Sequence, residues 1–173
     1  MAWDAQTVET AIRQALPEVD GRLCVVDTRP LFNPAEKHQR MHLGTHPANF
    51  GPIVYHGNFR QVVRPAALAM LQAMRETNPH SAQVTLVFLC KSGRHRSVAC
   101  ARVAAEVASV YPAFRLTAVT NLTPMSLSSW NCGECAACAF WSRAWEIREK
   151  GIAAAVRTWE DCARLADLAT VTQ

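Results

Sequence analysis

Cys90, Gly93, Arg96 and Ser97 stand in the stretch CKSGRHRSV, residues 90–98, which carries three cations, one histidine and no acid. Two chemistries fit these residue types at this spacing. A cysteine beside cations and a helix N-terminus is biased toward thiolate, the form that attacks electrophiles. The same loop can instead cradle an anion. Glycine admits close backbone approach, N–H groups at the loop and helix start converge on it, and the Arg96 fork grips two oxygens at once. Lys91, Ser92 and Arg94 complete the loop, His95 binds the anion or donates a proton to it, and Ser97 donates to an oxygen or to the loop itself.

A second constellation is Cys132-x-x-Cys135-x-x-Cys138, eased by Gly133. Two-residue gaps suit thiolate chelation of zinc in a tight knuckle. A closed site needs a fourth ligand, for which Cys162, Cys100 or a histidine are candidates. Iron–sulfur ligation also needs four. A redox pair and three free thiols remain alternatives. A metal here would be a structural staple, and the anion loop itself requires no cofactor.

Charge is distributed unevenly. The chain of 173 residues has a net charge of +4. Residues 21–64 hold Arg22, Arg29, Lys37, Arg40, Arg60 and Arg64 against Asp27 and Glu36, with four histidines besides. Residues 90–102 hold Lys91, Arg94, Arg96 and Arg102 and no acid. If these segments meet, they form a positive concavity suited to an anion. Half the residues are apolar, which excludes disorder. No apolar run approaches the roughly 18 residues of a membrane span. The acidic start, with Asp4 and Glu9, is unlike a secretory signal. Seven cysteines, an odd number unevenly placed, do not read as a disulfide scaffold. A cytoplasmic protein with reduced thiols is expected. A Walker A sequence is absent, which excludes ATP hydrolysis of that kind.

The elements that must position the loop follow from periodicity. Residues 5–16 have Val8, Ala11, Ile12 and Ala15 at helical spacing, ended by Pro17. RLCVVDTR, 22–29, reads as a short buried strand. Residues 30–52 show no clean period and read as a long loop of the functional kind. Residues 61–76 place Val63, Ala66, Ala67, Met70, Leu71 and Met74 on one helix face. AQVTLVFL, 82–89, is a β-branched run read as a central strand. RSVACARVAAEVASV, 96–110, is an alanine-rich helix, and FRLTAVTNL, 114–122, a third strand. Alternation of helices and strands over 1–122 predicts an α/β domain with a largely parallel sheet. Residues 123–173 read as a cysteine-cluster loop followed by two helical stretches, 139–150 and 152–168, packed on that domain as one unit.

C-x-x-G-x-x-R-S resembles the signature of the cysteine-dependent phosphatases, although Leu89 precedes the cysteine where that family has histidine. The resemblance implies Cys90 as nucleophile, Arg96 as phosphate clamp and an acid on another loop, for which Asp27 is the candidate. A second resemblance covers residues 22–122. CKSGRHRSVA resembles the G-C-T-G-G-x-H-R-S-V segment of the RapZ C-terminal domain family, an RNase adapter family. VDTRPLFNPAEKHQR, 26–40, resembles its D-x-R-F-L-x-N-P strand and loop, and LGTHPANF its T-G-x-D-x-x-V segment. This second likeness accounts for His95, Asp27, Arg29 and Asn33 together. It implies a three-layer α/β sandwich with a central, mostly parallel sheet. It also implies a pocket for a phosphorylated ligand made by Asp27, Arg29, Asn33, Cys90, Gly93, His95, Arg96 and Ser97. Expected partners are a phosphorylated small molecule, RNA with a ribonuclease, and further copies of the chain, with no membrane.

Overall fold

A computed structural model describes residues 5–17, 19, 21–33, 42–78, 82–91, 93–111 and 142–171. Helix α1, Ala5–Ala15, turns Ile12 inward and carries an Arg13–Glu9 pair at 3.0 Å on its exposed side. Strand β1, Arg22–Asp27, lies parallel to β2, Val84–Leu89, from Arg22 opposite Val84 to Asp27 opposite Leu89. β1 ends two residues before the sequence pattern does. The Asp27 carboxylate accepts the Arg29 backbone N–H at 2.9 Å, and this local bond turns the chain out of the strand. Among the described residues the sheet has these two strands. The third strand expected at 114–122 lies outside them. The fold is α/β and its strand pairing parallel.

The long loop expected over 30–52 is in part a helix. Helix α2, Pro47–Val54, runs through Gly51 and Pro52. Its start obeys local rules. Pro47 stands at the first helical position, where a missing N–H costs nothing, and the His46 ring caps the turn. Two prolines and a glycine obscure any helical period in so short a segment. Helix α3, Phe59–Arg75, buries Val62, Val63, Ala66, Ala67 and Met70. Pro65 sits on its exposed side, where water can satisfy the carbonyl freed by the missing N–H. Met74, expected on the inner face, is 44% exposed.

Helix α4, Arg96–Val110, follows β2 through the candidate loop and buries Ala99, Cys100, Val103 and Val107. The two helical stretches expected near the C-terminus are one helix, α5, Ser142–Val171. It passes through Gly151 unbroken. A Cβ there would come within 3.2 Å of the Phe50 ring, so the missing side chain is what lets α2 and α5 pack closely. α5 packs on α2, α3 and α4. Its Ala155, Trp159 and Cys162 join Val26, Phe50, Ile53, Phe59, Val63 and Val103 in a single buried cluster. Among the described residues no helix is long and apolar enough to cross a membrane.

Candidate anion site at the ends of the parallel strands

Both strands point their C-terminal ends at the candidate loop, the edge of an α/β sheet where ligands characteristically bind. The two ends are locked together by Thr28, which is fully buried. Its backbone N–H and its hydroxyl both donate to the Leu89 carbonyl, at 2.8 and 2.6 Å. Cys90 follows directly and is 7% exposed. Its Sγ accepts the Gly93 backbone N–H at 3.2 Å and lies 3.2 Å from the Ser97 hydroxyl. Gly93 has φ of 63°, in the left-handed region that side chains disfavour, and this turn curls the loop around the sulfur. Ser97 thus serves the loop itself.

Arg96 opens α4, yet its side chain is not at the surface. The residue is 8% exposed and one guanidinium nitrogen, Nη1, donates to the Arg29 carbonyl at 2.7 Å. Its Nε has no hydrogen-bond partner among the described residues. A buried cationic donor left unmatched is costly. His95 stands at the N-cap of α4 without making a side-chain capping bond, so the helix start is not closed by its own cap.

Arg29 faces the other way. Its guanidinium clamps the Asp27 carboxylate, with Nε at 2.8 and 2.9 Å from the two oxygens and Nη2 at 2.6 Å from Oδ2. The hydrogen bonds from Arg29 hold the Asp27 carboxyl below the usual range, with a further contribution from the Arg96 charge. Asp27 therefore stays ionised, the wrong state for protonating a leaving group.

The loop is buttressed from its outer side by residues 42–49. The Gly44 N–H donates to the Arg94 carbonyl at 3.0 Å. A Cβ on Gly44 would stand 1.8 Å from the His95 carbonyl oxygen, so nothing larger than glycine fits there. The buried Asn49 side chain donates to the carbonyls of His42 and Leu43 at 3.3 and 3.1 Å and holds this segment in shape.

The sequence model of the RapZ C-terminal domain matches residues 12–115. The chain belongs to that family. The matched span contains both the DTRPLFNP strand and loop and the GRHRSV loop. Curated proteins and solved structures give no match.

In this RapZ C-terminal domain the expected pocket residues divide into three groups. Cys90, Gly93, His95, Arg96 and Ser97 form one compact loop and helix start, and Asp27 and Arg29 reach it through the Arg29 carbonyl. Lys91 is exposed on the loop and Arg94 half-buried, while Asn33 is exposed and makes no hydrogen bond among the described residues. Ser92 lies outside the described residues. The expected meeting of two basic segments is partial. Arg29 and Arg96 come together, but Arg22 bonds Gln72 at 2.5 Å and Glu76 at 3.5 Å beside the end of α3, and Lys37 and Arg40 lie outside the described residues.

The cysteine cluster Cys132, Cys135, Cys138 also lies outside the described residues. Cys162 sits in the interface of α3 and α5, its thiol donating to the Arg60 carbonyl at 3.7 Å. Burial pushes the thiols of Cys162 and Cys100 up. Among the described residues no group of three or more His, Cys, Asp or Glu could hold a metal.

Three residues beside the site have roles that no motif assigns: Thr28, Gly44 and His46. The dipeptide His46-Pro47 was a usable signal, because a capping side chain before proline marks a helix start. Thr28 and Gly44 act on residues far away in the chain, and no local pattern announces them.

Proposed function

We propose that this domain binds the phosphate group of a phosphorylated ligand at the Cys90–Ser97 loop and does not transform it. The observation that carries the reading is Arg96: a guanidinium buried at a helix start, one nitrogen spent on the Arg29 carbonyl, its Nε without a partner among the described residues. An anion at the N-terminus of α4 would meet that donor, backbone N–H groups and the positive end of the helix dipole together. The ligand is a sugar phosphate, a nucleotide or an RNA phosphate. The domain would act as a sensor or RNA adapter in the cytoplasm, with a ribonuclease as partner and in more than one copy. Family membership supports the adapter reading. Titration calorimetry with a sugar phosphate and a nucleotide tests the site. Arg96→Ala should weaken binding by at least about tenfold, the scale of a lost charged hydrogen bond; unchanged affinity would refute it.

A second reading has one observation in its favour. The Cys90 sulfur accepts a backbone N–H and lies beside the Ser97 hydroxyl, an arrangement that also steadies a nucleophile. Against it stands Asp27, which is held ionised. Turnover of an aryl phosphate that vanishes in Cys90→Ser and is blocked by vanadate would establish a phosphatase. A structural zinc at Cys132, Cys135 and Cys138 is a separate proposal. Metal analysis of purified protein, with thermal unfolding under a chelator, decides it: stoichiometric zinc and a lowered Tm are expected.

A further inference from the structure

Asp27 is an acid beside a site proposed for anions. Its carboxyl is held ionised, chiefly by the hydrogen bonds from Arg29 and in smaller part by the Arg96 charge, so it lies in the field of Arg96. An ionised carboxylate only accepts hydrogen bonds, so it offers a phosphate oxygen repulsion and no bond. Both its oxygens are engaged elsewhere. Oδ1 accepts the Arg29 backbone N–H at 2.9 Å. The two oxygens also take the Arg29 guanidinium, with Nε at 2.8 and 2.9 Å and Nη2 at 2.6 Å. Residue 29 is thus tied to residue 27 at its main chain and at the end of its side chain. The Arg29 carbonyl in turn accepts Arg96 Nη1 at 2.7 Å. A chain of contacts therefore runs from the Asp27 carboxylate, through the Arg29 main chain, to the buried guanidinium whose Nε is unmatched among the described residues.

We infer that Asp27 is a positioning residue for the Cys90–Ser97 site: its carboxylate fixes the turn at residue 29, the Arg29 carbonyl then orients the Arg96 guanidinium, and Asp27 itself makes no bond to the anion. This rests on the anion-binding reading of that loop. The physical reason is entropy. A free arginine side chain must be ordered before it can grip an anion, and that ordering subtracts from affinity. Arg96 is ordered in advance by a carbonyl, and the carbonyl can do this only where residue 29 stands. The segment has other anchors. Thr28 donates twice to the Leu89 carbonyl, and the Leu31 N–H closes back on the Thr28 carbonyl at 3.2 Å. These fix residues 28 and 31, whereas the N–H of residue 29 is fixed by Asp27. Charge and positioning predict opposite results. If charge is all that Asp27 contributes, removing it from the field of Arg96 should tighten anion binding. Loss of the turn should weaken it.

The test uses the whole chain, with calorimetry at neutral pH and inorganic sulfate as probe. Asp27→Asn, Asp27→Ser and Asp27→Ala all remove the same charge and differ in how well they accept the Arg29 N–H. Asparagine accepts it well, serine more weakly and alanine not at all. The Asp27 side chain is 47% exposed, so none of the three empties the core. Sulfate affinity should follow that order. Asp27→Asn should bind at least as tightly as the wild type, and Asp27→Ala more weakly than Asp27→Asn by about threefold or more, the scale of one lost hydrogen bond. Equal affinity of Asp27→Asn and Asp27→Ala, at whatever level, overturns the inference and leaves Asp27 a charge only. If Asp27→Ala does not fold, Asp27→Asn against Asp27→Ser decides in the same way. A second readout needs no anion. The order parameter of the Arg96 Nε–H bond in the free protein, from nitrogen relaxation, should match the wild type in Asp27→Asn and fall in Asp27→Ala. An unchanged value in Asp27→Ala overturns the positioning role. Sulfate binding by Arg96→Ala at the wild-type level refutes the anion reading instead, and leaves the order parameter to judge Asp27.

Discussion

The two ends of α4 are built on opposite plans. At its start buried groups are fastened to backbone one bond at a time: Thr28 to Leu89, Arg96 to Arg29, Gly44 to Arg94. Toward its end, α3, α4 and α5 enclose an open apolar groove lined by Ala67, Met70, Val107 and Trp159, with Tyr111 bonded to Glu160 at its rim. The apolar end depends on area removed from water and tolerates changes of shape that conserve volume. The polar end depends on individual bonds, and its specific geometry is lost with any one of them. With anion binding as proposed, stability and recognition are housed at different ends of one helix and should separate under mutation.

Trp159→Ala strikes the apolar end and carries the largest expected effect. Removing a side chain 3% exposed should cost about 3–5 kcal/mol of unfolding free energy in denaturant titration, while folded protein keeps its affinity for phosphate ligands. Equal losses of stability and affinity would dissolve the distinction between the ends. Gly44→Ala strikes the polar end. The added methyl meets the His95 carbonyl, so a cost of about 1–3 kcal/mol is expected from overpacking, together with loss of anion binding out of proportion to it. Thr28→Val keeps shape and removes one donor to Leu89, for about 1 kcal/mol, read as a shift in the denaturation midpoint.

Asp27→Asn should have the smallest effect, and it appears with pH. The folded-state pKa of Asp27 is lowered, chiefly by the hydrogen bonds from Arg29. Its contribution to stability is then present above the unfolded-state value of about 3.9 and disappears as pH falls through the lower folded value. Acid denaturation of Asp27→Asn should therefore be slightly shallower than that of the wild type in this window. The pair is partly exposed, with the Asp27 side chain at 47%, so solvent screens it and the difference is small.

What the sequence reveals depends on how local the cause is. The glycine turn, the helix beginning at Arg96 and the strand over 84–89 each follow from neighbouring residues, and all three stand in the structure. Helix α2 was hidden because Gly51 and Pro52 break its period while Pro47 and His46, its true signals, sit outside that period. The apolar pattern divides α5 into two stretches on either side of Gly151, and Phe50 and Val54, far earlier in the chain, explain why glycine is wanted there. The Arg96 fork suits two oxygens of an anion. Its bond to the Arg29 carbonyl joins distant segments, and nothing near Arg96 encodes it.

The parallel register has a consequence for how the protein assembles. Arg22 cannot meet Val84, nor Asp27 meet Leu89, until α2 and α3 have been carried across between the strands. Closing so long a crossover costs entropy before any strand bond repays it. Thr28 reaches Leu89, and Arg96 reaches Arg29, only after that closure. A partly folded chain with its helices formed would have the residues of the anion loop but no loop. A ligand of the kind proposed would meet its site only in the finished topology, and its binding would favour that state over the partly folded one.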